Sequence, residues 1–357
     1  MGPVETQAAR FSQFIIITSY NFTAMKRAFS LLLGIVLAAG AWAQPEQSPQ
    51  ETARAFMRAG DWNNAILVLR SALAQEPNNL EYQKDLALSY LYKRDFTKAM
   101  EVVKPMLERD DADVATYQIG GNVYKALEEV KDADKMYKKG LKKFPKSGPL
   151  YSEYGELLWD KKDYSAIQQW EKGIELDPAY AGNYYNAASY YYFTKDKIWT
   201  LIYGEIFVNM EYLTDRATEV KRMLLTTYQE KLFADDTKQD KKNEFASAVL
   251  QTYNKQLALT NKGITIESLN MIRTRFILDW FNTYATKFPF KLFDYQQQLI
   301  RGGMFEAYNE WLFGPVDNLS AFDQWSKTNS EAYTKFTDFQ KVRVFKMPPG
   351  QHYQAGK

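Results

Sequence analysis

The chain contains no cysteine, which excludes disulfides, thiolate metal sites, thiol nucleophiles and lipid attachment through a cysteine. It contains one histidine, His352, close to the C-terminal Lys357. Chemistry built on a histidine triad or a cluster of histidine ligands therefore has almost no material. Net charge is also nearly missing, with 45 basic and 43 acidic residues in 357. An apolar fraction of 46% with 25% charged residues is that of a globular, water-soluble chain. Only one apolar stretch approaches membrane-spanning length, and it lies near the start, so a polytopic membrane protein is excluded.

That stretch has a purpose of its own. Lys26-Arg27 precede the apolar run Ala28–Ala39, followed by Ala41-Trp42-Ala43 and then Gln44-Pro45. A basic start, a short apolar middle and an A-x-A site are the order of a cleaved export signal. The run is short of the roughly 20 residues that a spanning anchor needs. The signal spans 25–43 from Met25, residues 1–24 read as an upstream or mis-started segment, and the expected mature terminus is Gln44. Three basic residues (Arg10, Lys26, Arg27) and one acidic residue (Glu5) precede it, which leaves 42 of each sign. A neutral exported chain has no global field for nucleic acid. The expected location is periplasmic or extracellular; no cysteine follows the cleavage site, so a lipoprotein is excluded. No integral membrane span is expected after cleavage.

Beyond the signal the sequence is periodic. Gly60-Asp61, Arg94-Asp95, Glu128-Glu129, Lys162-Asp163 and Lys195-Asp196 recur at a nearly constant spacing of about 34 residues. The first four pairs are followed by Trp62, Phe96, Val130 and Tyr164, and then by Ala65, Ala99, Ala133 and, one residue early, Ala166. Units starting at 46, 80, 114, 148 and 181 place Ala53, Ala87, Gly121, Gly155 and Ala188 at their eighth position. The eleventh position holds Phe56, Tyr90, Tyr124, Leu158 and Tyr191. Small residues let paired helices approach, and large ones fill the space between units. This pattern resembles the tetratricopeptide repeat (TPR), a helix–turn–helix unit of about 34 residues. The fifth unit departs from it, with Thr200 where alanine is expected, Gly204 at a bulky position and Tyr212 where proline would end the unit.

Past Leu213 the period is lost but helical patterning continues. Thr214-Asp215 can cap a helix carrying Val220, Leu224, Tyr228 and Leu232, and a charged stretch over 235–242 follows. A second helix carries Phe245, Val249, Tyr253 and Leu257 and ends at Gly263; a third runs from Ile266 to about Thr286. Beyond Pro289 the helices are shorter and rich in aromatics. The expected fold is all-α: a right-handed TPR-like solenoid of about five units over 44–212, then an irregular helical region over 213–357. The aromatics of that region read either as core, the usual fate of such side chains, or as the lining of a glycan-binding or glycan-active cleft.

Catalytic motifs are missing. Gly350–Lys357 has five residues between its glycines where a phosphate loop needs four, and no Ser or Thr after the lysine. Paired carboxylates such as Asp110-Asp111 and Asp235-Asp236 sit in charged, turn-like segments where nothing raises a pKa. No catalytic residue, metal ligand or cofactor is expected. Lys138, Lys139, Lys142, Lys143 and Lys146 gather at the end of one repeat's second helix, suiting its negative C-terminal end or an acidic partner.

The resemblance implies a non-catalytic interaction scaffold of the cell envelope, holding a partner peptide or protein in the groove formed by the first helices. Carried over by position, the groove residues are Arg54, Met57 and Arg58; Lys84, Leu88, Leu91 and Tyr92; and Gln118, Asn122 and Lys125. The fourth and fifth units add Ser152, Glu156, Trp159 and Asp160, then Tyr185, Ser189, Tyr192 and Phe193. So inferred, the groove is basic at its N-terminal end and aromatic at the other, either open or filled by the C-terminal helices. The family's clamp for chaperone C-termini is absent, because its lysine, asparagine and arginine positions hold Gln50, Arg54, Asp85, Ala115 and Ile119.

Overall fold

A computed structural model of the chain describes residues 48–233 and 243–354. The expected export signal, the segment before it, the new terminus Gln44 and the charged stretch 235–242 lie outside the described residues. Two compact units are present, one reaching to Gln75 and the other starting at Glu76. The described residues are helical without a strand, an all-α, solenoid-like fold.

The first unit is the helix pair α1 (Pro49–Arg58) and α2 (Trp62–Gln75). Ser48 opens α1 with a capping box: the Glu51 backbone N–H donates to Ser48 Oγ at 3.2 Å, and the Ser48 N–H donates to the Glu51 carboxylate at 3.1 Å. Ala53 and Ala65 are fully buried, as small residues at a close helix contact should be.

The second unit begins with four more pairs. These are α3 (Leu80–Tyr92) with α4 (Phe96–Leu107), α5 (Val114–Ala126) with α6 (Val130–Lys143), α7 (Gly148–Asp160) with α8 (Ala166–Leu176), and α9 (Ala181–Tyr192) with α10 (Lys197–Met210). Each helix packs on its pair partner, and each first helix packs on the first helix of the next pair, so that α3, α5, α7 and α9 form a row.

The recurring residue pairs are the turns inside these units. Gly60, Arg94, Glu128 and Lys162 all have positive φ, between 58° and 74°. In each case the next residue's N–H donates five residues back: Asp61 to Phe56, Asp95 to Tyr90, Glu129 to Tyr124 and Asp163 to Leu158. This is the Schellman ending, which satisfies carbonyls that the helix leaves free. Asp61 and Asp95 then accept from the N–H groups of Asn64 and Lys98, capping the following helix. The fifth pair breaks the pattern: the Asp196 N–H donates to Thr194 Oγ1 at 3.1 Å.

Glycines at the eighth position admit an aromatic from the paired helix. A Cβ on Gly121 would lie 2.0 Å from the Tyr137 hydroxyl, and one on Gly155 would lie 2.2 Å from Trp170 Nε1. Both aromatics use the space for polar bonds. The Tyr137 hydroxyl donates to Glu153 at 2.9 Å, and Trp170 Nε1 donates to the Ser152 carbonyl at 3.1 Å.

Packing continues one helix further than the sequence periodicity does. Helix α11 (Asp215–Thr226) starts one repeat length after Ala181 and packs on α9, taking the next place in the row of first helices. Gly204 explains the departure in the fifth unit, since a Cβ there would stand 3.0 Å from Leu224 and 3.1 Å from Val220, both on α11. A π-helical turn, Thr227–Lys231, ends this helix.

The remaining helices are α12 (Glu244–Asn254), α13 (Ile266–Thr283), α14 (Lys291–Arg301), α15 (Phe305–Asp317), α16 (Leu319–Thr328) and α17 (Ser330–Lys341). Helix α12 stops well before Gly263, which at φ 84° lies in the loop beyond a short 3₁₀ turn, Leu257–Thr260. The aromatics here are largely core. Phe245 lies 5.5 Å from Trp280, 5.1 Å from Phe290 and 4.5 Å from Tyr353, and Tyr253 stacks on Phe276 at 4.0 Å. A buried polar cluster joins α10 to this block. The Glu205 carboxylate on α10 takes an ion pair from Arg273 (α13) and hydrogen bonds from Gln296 (α14) and Tyr308 (α15).

Candidate functional site

In the second unit the candidate groove is the row α3, α5, α7, α9, and its side chains divide into three groups. The first group is basic and already paired within the protein, Lys84 in the interior and Lys125 at the partly exposed surface. Lys84 is buried, 2.8 Å from Asp113 and 2.5 Å from Glu81. Burial works against its charge, but the hydrogen bonds it donates to the two carboxylates, with their charge, outweigh this and hold its pKa above the ordinary lysine value. Lys125 faces Glu156 at 4.0 Å. The expectation of a basic groove is therefore corrected for these two positions: each lysine meets a carboxylate on the next first helix or at its N-cap.

The second group forms a polar floor. Gln118 donates to Glu153 at 2.7 Å, and Asn186 bonds both Ser152 and Glu156, at 3.1 and 3.2 Å. Burial pushes the Glu153 carboxyl up, although Gln118 and Tyr137 both donate to it. Asn122 is half-buried. Glu153 and Asn186 were not among the carried-over positions. The signal for Glu153 is an acidic residue next to the buried Tyr154-Gly155 of α7.

The third group is apolar and lies at the C-terminal ends of the first helices. Tyr92, closing α3, is 61% exposed, and Phe193, just past α9, is 77% exposed. Trp159, near the end of α7, is half-buried beside Tyr164 and Tyr190, at 5.6 and 5.8 Å. Leu88 is half-buried. The other two groove aromatics of the fifth unit, Tyr185 and Tyr192, have neighbours from the C-terminal region. The Tyr185 hydroxyl donates to Glu219 at 3.0 Å, with the Arg216 guanidinium 5.1 Å from its ring. Lys231 lies over the ring of Tyr192. Ser189 turns its hydroxyl back to the Tyr185 carbonyl. The fifth unit is thus partly covered, by α11 and the π turn, and Phe193 stays open. In the first unit Arg54 and Arg58 are exposed.

The lysine cluster is mostly structural. Lys139 is 2.8 Å from Glu108, and Lys143 donates to the carbonyls of Asp110 and Ala112, so both hold the turn after α4. Asp111 is exposed beside Arg109, whose hydrogen bonds keep its carboxyl below the usual range. His352 is docked rather than loose: its ring is 3.4 Å from the Tyr203 hydroxyl, and burial pushes its pKa down to about 4. Among the described residues no three acidic or histidine side chains converge on a point that could hold a metal. Among them, too, no helix is long and apolar enough to cross a membrane.

Residues 56–119 match the family model of the tetratricopeptide repeat. Among solved structures the chain is similar to TTC0263, a thermophilic TPR protein of Thermus thermophilus. The identity is 17% and the TM-score 0.43, over 51% of this chain and 100% of that one. It is also similar to MamA, at 20% identity and TM-score 0.37, over 47% of this chain and 94% of that one. Comparison with curated proteins gives no match. Repeats of this family generally mediate protein–protein interaction. The family match runs from α1 to α5, and the same turn and the same small-residue contacts continue through α8, so this stretch of the chain carries tetratricopeptide-like repeats.

Proposed function

We propose that this protein is a non-catalytic interaction scaffold of the cell envelope that binds an extended segment of a partner protein along its first helices. The observation that carries this reading is the exposure of Tyr92 and Phe193 at equivalent ends of α3 and α9. Large aromatics left in water on a polar surface are how interfaces gain most of their energy. Between them Lys125, Glu156 and Asn186 offer polar groups of both signs, which suits a segment with apolar anchors flanking a polar middle. Placement in the envelope rests on the signal-like segment Lys26–Ala43. The buried aromatic core of the C-terminal helices supports a scaffold over a glycan-active cleft.

The test is capture of partners from the host envelope with the wild-type protein and with a Tyr92→Ala/Phe193→Ala variant. Loss of a specific partner at unchanged melting temperature supports the reading, with about 2 kcal/mol or more expected for a true anchor. Retention of all partners by the variant overturns the aromatic site. N-terminal sequencing of envelope protein should begin at Gln44.

A further inference from the structure

The C-terminal region holds a cleft of about 310 Å³ that the groove reading does not use. It lies between the end of α10, the start of α14 and the chain that follows α17. Three observations there point to a ligand of one chemical kind.

The first is an orphaned donor. Gln340 lines the cleft, and its side-chain Nε2 is buried without a hydrogen-bond acceptor among the described residues. A buried amide N–H is normally paired, and one without a partner calls for an acceptor. The second is charge. Lys291 and Arg343 line the same cleft and form no ion pair among the described residues, unlike Lys84, Lys139, Arg216 and Arg273. The Arg343 guanidinium lies 4.4 Å from the Phe339 ring, and one terminal nitrogen donates to Gln298 at 2.6 Å. Its plane is thereby held while its other N–H groups stay available. The third is the rim. Val342 and Val344 are 83% and 81% exposed on a non-helical segment, and the ring of Tyr295 also lines the cleft.

We propose that this cleft binds a carboxylate carried on an apolar or aromatic body. The carboxylate accepts from Gln340 Nε2 and pairs with Arg343 and Lys291, and the body lies against Tyr295 and the two valines. A planar guanidinium matches a carboxylate through two parallel bonds, and the cleft is at the small end of ligand sites. The carboxylate belongs either to a free small acid or to the last residue of a peptide. These residues are not those of the proposed groove, so the two readings stand or fall separately.

The experiment is calorimetric titration of the purified protein with N-acetylphenylalanine, with its amide, and with a pentapeptide ending in phenylalanine as free acid and as amide. The free acids should bind, and both amides should bind at least tenfold more weakly. Arg343→Gln and Gln340→Met should each weaken binding at least tenfold at unchanged melting temperature, while Tyr92→Ala/Phe193→Ala binds as the wild type. A tighter peptide acid assigns the site to a chain terminus, and equal affinities assign it to a free acid. If Arg343→Gln lowers the melting temperature, Lys291→Met carries the charge test. No binding of either acid, equal binding of acid and amide, or full affinity in the variants overturns the proposal.

Discussion

Glu205 and Arg273 form an ion pair with both side chains shut off from water, at 2% and 1% exposure. The guanidinium is surrounded by rings, among them Phe313 at 5.2 Å and Phe305 at 5.4 Å. Such a pair contributes little beyond an apolar replacement, but losing one half strands a charge. Arg273→Met should cost about 3–5 kcal/mol. Glu205→Gln/Arg273→Met should cost less than the sum of the two single changes. Denaturant melts of the four proteins in a double-mutant cycle measure the difference.

Gly121→Leu tests the repeat register. The new side chain would enter the space held by the Tyr137 hydroxyl and displace its bond to Glu153. Overpacking of this kind costs about 1–3 kcal/mol. A denaturant melt with the wild-type midpoint would refute the assigned contact.

The turns offer the opposite change. Arg94, Glu128 and Lys162 adopt the left-handed backbone conformation that their repeat equivalent, Gly60, adopts as a glycine. A side chain costs about 1–2 kcal/mol in that region, partly offset by the greater freedom that glycine has when unfolded. Each of Arg94→Gly, Glu128→Gly and Lys162→Gly should raise stability by about 0.5 kcal/mol. Gly60→Ala should lower it by a similar amount, since its Cβ would touch nothing within 4 Å and only the backbone responds. Thermal melts of the four single variants check both signs.

Glu171 should make stability depend on pH. It accepts from the Tyr191 hydroxyl at 2.5 Å, and burial pushes its carboxyl up to about 7 despite that bond and one from Gln354. Between its unfolded value of 4.5 and about 7, the folded protein holds a proton that the unfolded chain releases. Stability contributed by this group therefore falls as pH rises through that window, and the penalty is complete above it. Glu171→Gln should stabilise by on the order of 1–3 kcal/mol at pH 8 and by little near pH 4. His352, held neutral down to about 4, acts in the other direction, losing stability as pH falls below its ordinary value. Comparing the variant with the wild type at each pH cancels that contribution. A gap that does not change with pH would refute the assignment.

The period was legible because it is written by local rules. A left-handed turn residue, a capping aspartate and a small residue at the helix contact each leave a mark at a fixed spacing. The groove's charge was not legible in the same way. A repeat position places Lys84 and Lys125 on a helix face, but their carboxylates, Asp113 and Glu156, lie about a repeat away and belong to a different helix. The place of α11 was hidden for a related reason. Its residues answer to Gly204 on one side and to α15 on the other, so the small and large positions of the repeat no longer apply. Arg273 did leave a trace, as a charge between the buried Ile272 and the apolar stripe of Leu269 and Phe276. Only its partner, far back in the apolar helix α10, shows that the charge belongs in the core.

The anchoring of α10 through Glu205 also limits how such a chain can change its length over generations. Repeat arrays commonly grow or shrink by duplication or loss of whole units, because each unit meets only its neighbours. Here the last pair is wired by side chains to three helices that are not repeats. A unit copied in after α10 would part Glu205 from Arg273 and leave both charges buried alone. Tolerated insertions and deletions of whole units are thus confined to the stretch upstream, and the descendants of this protein should vary in repeat number there while keeping the final pair and its helical cap as one inherited block.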